Sequence, residues 1–296
     1  MATRSRGLVK FIPSSALGVS EPPPEWFGNE PNAKKSSSSS SPWTNANWLK
    51  SRFHFSFAEY NNPANQSFGV LRVLNDDLVQ PDRGFGSHPH RDQEICTYVV
   101  SGALTHQDEP MGTKETITRG AIQFMTAGKG IVHSERNLSA TDPLRFIQIW
   151  IVPRSRSLTP AYGSSPGCSD SAASRRNAFA HLVSDVLNTS TSTPIKINQD
   201  ANIHVAEIDA GKAVTFVLAA GRQAYLLCME GGASVKDSGV VFKRHDAAEL
   251  VGPLSFSLVG EKSTRDVTTK DDDENTAHVL IVEMAEVTGS GRKDVE

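Results

Sequence analysis

Gly84-Phe85-Gly86-Ser87-His88-Pro89-His90 and, roughly forty residues later, Gly128-Lys129-Gly130-Ile131-Val132-His133-Ser134-Glu135 are the stretches around which this chain is organised. Side chains two apart on a β-strand point to one face, so each stretch aims a pair of donors in a single direction. Together they supply four candidate metal ligands: His88, His90, His133 and Glu135. Three imidazoles and one carboxylate suit a borderline transition metal such as Fe(II), Mn(II), Ni(II), Co(II) or Cu(II). They also leave coordination positions for water, substrate or O2.

Two other readings compete for these residues. A His-x-His pair on its own is a weak signal, since two histidines on a strand often simply face solvent. The second pair, ending in a carboxylate, weakens that reading, as do the glycines at 84, 86, 120, 128 and 130, which permit tight turns and close backbone approach to an enclosed site. A structural zinc site is usually cysteine-rich and closed, whereas only Cys96 lies near either pair.

Working outward, the texture between the two stretches and beyond them is of short β-rich runs broken by turn residues, with no sustained helical periodicity. The predicted strands of the first block are 53–58, 67–75, 86–90, 94–100, 103–109, 114–118, 121–126, 131–136 and 144–152. Ser101-Gly102, Met111-Gly112 and Arg119-Gly120 mark hairpin corners. A second block of similar length and order is predicted to contain strands at 178–183, 195–197, 202–209, 213–218, 223–230, 233–236, 247–251, 254–259 and 277–285. Many short strands with Gly and Pro turns indicate sandwiches or barrels. The fold expected is all-β, with two tandem jelly-roll β-barrel domains and the chemistry kept in the first. In the second block His204, His245 and His278 stand isolated, and each reads as an ordinary surface or hydrogen-bonded histidine.

The expected organisation is a mobile extension over 1–45, a metal-binding barrel over 46–160, a linker over 161–176, a second barrel over 177–288 and a tail over 289–296. The extension carries Pro22-Pro23-Pro24 and the serine run 36–41, a composition too poor in apolar surface to offset its ordering entropy. Its tip, with Leu8, Val9, Phe11 and Ile12, has the makings of one edge strand. The charged run from Lys270 to Asn275 reads as a solvated loop.

Of 296 residues, 38% are hydrophobic and 21% charged, the balance of a globular protein. A net charge of −3 argues against direct nucleic-acid binding, which wants a basic surface. Cys96, Cys168 and Cys228 are scattered and odd in number, which argues against a disulfide framework and for a reducing compartment, cytoplasmic or nuclear. No apolar run is long enough to span a bilayer.

The run from Trp48 to Tyr162 closely resembles the pirin family of bicupins, especially its bacterial branch with quercetin 2,3-dioxygenase-like activity. The matching residues begin with Phe53-His54-Phe55-Ser56-Phe57-Ala58, Leu71-Arg72-Val73-Leu74-Asn75-Asp76-Asp77 and Gly84 to Arg91. They continue through Glu94, Tyr98-Val99, His106-Gln107-Asp108, Met125 to Ile131, His133-Ser134-Glu135 and Gln148-Ile149-Trp150. A weaker likeness over 177–287, carried by Asp200-Ala201, Asp209 to Lys212 and Gly221-Arg222, resembles the family's degenerate second cupin.

The resemblance implies a single metal, Fe(II) first among the candidates, held by His88, His90, His133 and Glu135. Glu94 stands where many cupins place their carboxylate, which makes it an alternative ligand. His106, Gln107 and Asp108 are candidates for orienting the imidazoles. In the dioxygenase reading a small aromatic substrate such as a flavonol and O2 meet at the metal, with Glu135 as general base and release of a depside and carbon monoxide. Candidate walls are Phe53, Phe55, Phe57, Phe85, Met125 and Trp150; each has a competing reading as barrel core. Arg91 reads first as a surface charge. The rival function is a redox-responsive regulator whose partner is a transcription factor.

Overall fold

Three strands in the chain are apolar almost without interruption: Ile95 to Val100, Ala224 to Met229 and Ala277 to Met284. A strand with one wet face alternates, so an unbroken run means burial on both faces. The computed structural model, which describes residues 7–30, 48–109, 111–166, 174–262 and 276–287, shows the reason. Two β-barrels lie back to back, and these strands are at the centre of the sheets by which the barrels touch.

The N-terminal segment supplies β1 (Gly7–Ile12) and β2 (Gly18–Ser20). The first barrel continues with β3 (Leu49–Phe53), β4 (Leu71–Val79), β5 (Arg83–His90), β6 (Glu94–Ser101) and β7 (Ala103–Glu109). It is completed by β8 (Lys114–Thr118), β9 (Ile122–Thr126), β10 (Ile131–Asn137), β11 (Leu144–Ile151) and β12 (Ala161–Ser165). The second contains β13 (Ala180–Asp185), β14 (Ile195–Ile197), β15 (Ala201–Asp209), β16 (Ala213–Leu218) and β17 (Arg222–Glu230). It ends with β18 (Gly232–Val235), β19 (Val241–Lys243), β20 (Ala247–Val251), β21 (Leu254–Gly260) and β22 (Thr276–Ala285).

In the first barrel a seven-stranded sheet, β12-β9-β6-β11-β4-β3-β2, faces a four-stranded one, β5-β10-β7-β8. The second repeats the plan, with β1-β20-β17-β22-β15-β13-β14 facing β16-β21-β18-β19. These are the two tandem cupin barrels expected of the sequence. The principal core lies between the two large sheets, where Leu74, Cys96, Tyr98 and Ile149 of one barrel meet Val205, Tyr225, Leu227 and Leu280 of the other. Each barrel also has a core of its own.

Charged groups buried with that seam are paired, as burial requires. The Arg145 guanidinium grips Asp76 through Nε and Nη2 at 2.8 and 2.7 Å, and also donates to the Met229 carbonyl across the seam. His245 of the second barrel adds a 2.7 Å contact to Asp76. Burial alone would raise the Asp76 pKa, but Arg145 and His245 hold it well below the usual carboxylate range. Nearby, the Tyr98 hydroxyl donates to His278 Nε2, whose Nδ1 donates to Glu230, which pairs with Arg119. His245 and His278 are thus hydrogen-bonded histidines, and His204 stacks on His181 with centroids 4.1 Å apart.

Two segments differ from the sequence reading. Residues 7–30, assigned there to a mobile extension, are tied to both barrels: β1 pairs with β20 and β2 pairs with β3. Ile12 is buried in the inter-barrel core and Phe11 packs on Phe242, so a few apolar residues at the tip offset the poor composition behind them. Residues 161–165, assigned to a linker, form β12 along the edge of β9, held by backbone pairing and by the one large side chain among them, Tyr162. The serine run 36–41, Cys168, the charged run 270–275 and the tail 289–296 lie outside the described residues. Cys96 and Cys228 are buried and unbridged. Among the described residues no helix is long and apolar enough to cross a membrane.

Candidate metal centre

β5 and β10 are hydrogen-bonded neighbours, with His133 opposite His88 and Ile131 opposite His90. Alternation along each strand turns these three imidazoles to the barrel interior while Ser87 and Val132 face away. The rings lie 4.5–4.9 Å apart, centroid to centroid, and their candidate ligand atoms fall within 4.8 Å of one another.

Each ring is held in a usable state. Nδ1 of His88 donates to the Gly86 carbonyl at 2.7 Å, which leaves Nε2 as the free lone pair. Behind His133 runs a relay: Asp108 Oδ2 accepts from His106 Nε2 at 3.1 Å, and His106 Nδ1 stands 3.4 Å from His133 Nδ1. With its Nε2 committed as donor to a carboxylate, His106 accepts at Nδ1. The His133 proton therefore sits on Nδ1, and its Nε2 lone pair faces the other rings. That Nε2 is buried and has no hydrogen-bond partner among the described residues. Burial depresses the pKa values of all three histidines, to about 3 at His90, so they are neutral as ligands must be. An orphaned buried lone pair on a pre-set tautomer, amid two further neutral imidazoles, fits a divalent transition metal.

Glu135 lies beside this triad, not within it. A bulge between His133 and Glu135 shifts the register, and the carboxylate groups with His106 and His133 instead of with His88 and His90. Its Oε1 accepts from Thr97 at 3.0 Å and Gln123 at 2.9 Å, and its Oε2 from Gln148 at 2.8 Å. Burial nevertheless pushes the carboxyl up to about 7, against the lowering effect of those donors. A carboxylate has about four lone-pair positions, so three donors leave room for a cation.

The structure sorts the remaining candidates. Glu94 is buried elsewhere, accepting from Thr126 at 3.0 Å and from Asn198 of the second barrel at 3.2 Å, and among the described residues it joins neither donor group. It fastens the barrels together and is not placed as an alternative ligand. His106 and Asp108 do orient His133; Gln107, between them on the strand, points out to solvent. Trp150 meets His90 edge-on at 4.8 Å with its indole Nε1 buried and unpaired, and Phe57 meets Trp150 at 5.4 Å. Phe53 packs against Phe57, Phe85 approaches His88, and Met125 packs with Trp150. Phe55 departs from the expected wall: it faces Tyr225 in the inter-barrel core. A shallow depression beside His90, lined by Pro89, Arg91, Lys129, Ile131 and Val132, opens to solvent. Arg91 is exposed there, 3.9 Å from Asp92.

Sequence reasoning missed four contributors. Thr97, Gln123 and Gln148 are polar residues inside otherwise apolar strands, a signal that was available, since a buried polar side chain needs a partner. Tyr162 stacks on His106 at 4.4 Å, and its hydroxyl donates to Glu115 and Gln123. It sits on the strand read as linker, and no local pattern pointed to it.

Comparison with known proteins shows which family the chain is similar to. Residues 34–151 match the family model described as Pirin, and residues 186–267 that described as Quercetinase C-terminal cupin domain. The chain is 40% identical over 218 residues to the Pirin-like protein of Caulobacter vibrioides, covering 69% of this chain and 91% of that one. To the quercetin 2,3-dioxygenase of Escherichia coli (strain K12) it is 50% identical over 118 residues, 40% of this chain and 51% of that one. Among solved structures it is similar to the bacterial pirin YhhW of Escherichia coli in complex with nickel(II). That likeness has a TM-score of 0.71 at 27% identity and covers 94% of this chain and 99% of the other.

Proposed function

We propose that this chain, which belongs to the pirin family, is an Fe(II)-dependent dioxygenase that opens the ring of a flavonol or related polyphenol. The observation that carries the reading is the buried, unpaired Nε2 of His133, aimed at His88 and His90 by the Asp108–His106 relay. His88, His90 and His133 hold the metal, with Glu135 as the fourth donor. Bound there, the metal supplies Lewis acidity and one-electron chemistry toward O2.

The protein's own residues do the rest. A flavonol enters past His90 and lays its ring against Trp150 and Phe57, whose edge-to-face packing fixes the orientation of the indole. The Trp150 Nε1 proton is free to meet a substrate oxygen. Glu135 takes the proton of the enolic hydroxyl on the carboxylate position that its three donors leave open, next to both the cation and the substrate. Thr97, Gln123 and Gln148 hold its carboxylate in place throughout. The balanced reaction consumes one flavonol and one O2 and releases a depside and carbon monoxide.

The test is incubation of iron-loaded protein with quercetin under air, following flavonol absorbance and headspace carbon monoxide. Loss of one flavonol per carbon monoxide, abolished in His133→Ala, is the expected outcome. No consumption with any of iron, manganese, nickel, cobalt or copper, in protein that retains one metal per chain, would reject turnover and favour the regulatory reading.

A further inference from the structure

The two barrels share their register closely enough to be compared position by position. Gly102 and Gly231, at φ +78° and +61°, turn the equivalent hairpins β6–β7 and β17–β18. Counting from that turn, Leu226 stands where Thr97 stands, and Val235 where His106 stands. His106 faces Glu135 across β7 and β10, and Val235 faces Leu258 across β18 and β21, so Leu258 takes the place of Glu135. His133 opposes His88, and correspondingly Phe256 opposes Phe216; Ile131 opposes His90, and correspondingly Leu254 opposes Leu218. Every ligand position of the first barrel is therefore apolar in the second.

Three of these positions are filled, since Phe216, Leu218 and Leu258 are buried in the core of the second barrel, as close packing demands. Beside them the packing stops short: a cavity of about 430 Å3 opens between Leu226, Val235, Leu254 and Phe256, of which Phe256 stands at the position of His133 and Val235 at that of His106. Leu8 of β1 closes one side. Lys236 and Asp237 stand together at the exposed edge with opposite charges, alongside Ser238 and Ser255. Apolar walls bind water poorly, and the volume is within the range of small-molecule sites.

We propose that the second barrel binds an uncharged, largely apolar molecule of one or two rings in this cavity, beside the position at which the first barrel carries His133, without a metal. Apolar walls select the body of the ligand, the self-neutralised rim disfavours a net charge, and the rim serines accept or donate to a hydroxyl at its outer end. The site is independent of the metal centre and of the dioxygenase reading.

The test uses the neutral fluorophore N-phenyl-1-naphthylamine on the full metal-loaded chain. The expected result is saturable enhancement with one site per chain, unchanged in His88→Ala. Val235→Phe, which places a ring in the cavity, is expected to weaken it by at least about tenfold without changing metal content. Ser255→Phe, at an exposed position on the mouth where folding is not at stake, is expected to do the same. Absence of saturable binding to the folded wild-type chain would overturn the proposal. So would binding that survives both filling variants but is lost in His88→Ala.

Discussion

Replacing Asp108 with alanine should weaken metal binding, although the Asp108 carboxylate bonds to His106 and not to any of the four proposed ligands. In the wild-type chain the Asp108 carboxylate fixes the His106 proton on Nε2 at 3.1 Å, and His106 then accepts from His133 Nδ1 at 3.4 Å. Without the carboxylate, His106 is free to carry its proton on Nδ1, where it would confront the His133 Nδ1 proton. Relief comes from moving the His133 proton to Nε2, the atom the metal needs. Loss of such an outer partner costs about 10–100-fold in metal affinity, or roughly 1.4–2.7 kcal/mol. We expect the upper half of that range, because both side chains are almost wholly buried and water cannot substitute for the lost acceptor. The assay is chelator competition for Ni(II) or Co(II), with far-UV circular dichroism to establish that the apo chain is folded. His106→Phe, which keeps a ring against Tyr162 but has no acceptor, should lose affinity similarly, and Gln107→Ala on the exposed face should lose none. Wild-type affinity in a folded Asp108→Ala chain would refute the relay.

Three further outcomes follow from the same structure. Asp76 has a folded pKa below its unfolded value of about 3.9, so its contribution to stability is present above that pH and is lost as pH falls through the folded value. Urea unfolding measured from pH 7 down to about pH 2 should show that loss setting in below about pH 4 in the wild type and a flatter profile in Asp76→Asn, which should also be less stable at pH 7 by about 3–5 kcal/mol, because Arg145 is left uncompensated. Gly102→Ala should lower stability by about 1–3 kcal/mol in thermal unfolding, since φ is +78° and the added methyl would overlap the Pro143 carbonyl oxygen. Tyr162→Phe keeps the stack on His106 but frees the Gln123 amide to turn; the pH profile of quercetin turnover should shift while the unfolding midpoint changes by about 1 kcal/mol or less.

What the sequence disclosed and what it withheld divide along physical lines. Period-two alternation and glycine punctuation are local, and they placed β6 through β11 and the hairpin at Gly102 within a residue or two, and β5 within three. The His88, His90, His133 cluster was readable for the same reason: two local i, i+2 pairs needed only one antiparallel pairing to meet. Glu94 misled because position along a strand does not reveal which neighbour a carboxylate will find; here it is Asn198, more than a hundred residues away. The tip of the extension was legible as an edge strand but its partner was not, and Tyr162 was opaque, because both are held by partners remote in sequence. β1 has Glu249 opposite Lys10, and β12 has Met125 opposite Tyr162, pairings that composition does not encode.

The placement of β1 bears on how this molecule is made. Its partner, β20, begins at Ala247, so β1 leaves the ribosome some 235 residues before the strand it joins. Closing so long a loop costs only slightly more than closing one of half the length, about 0.6 kcal/mol per doubling, but it fixes an order of events. The leading segment has to wait while both barrels are synthesised, and its docking is a late step that closes one edge of the second sheet. A chain severed between the barrels would therefore yield two halves of unequal completeness, the amino-terminal one carrying a strand with no home.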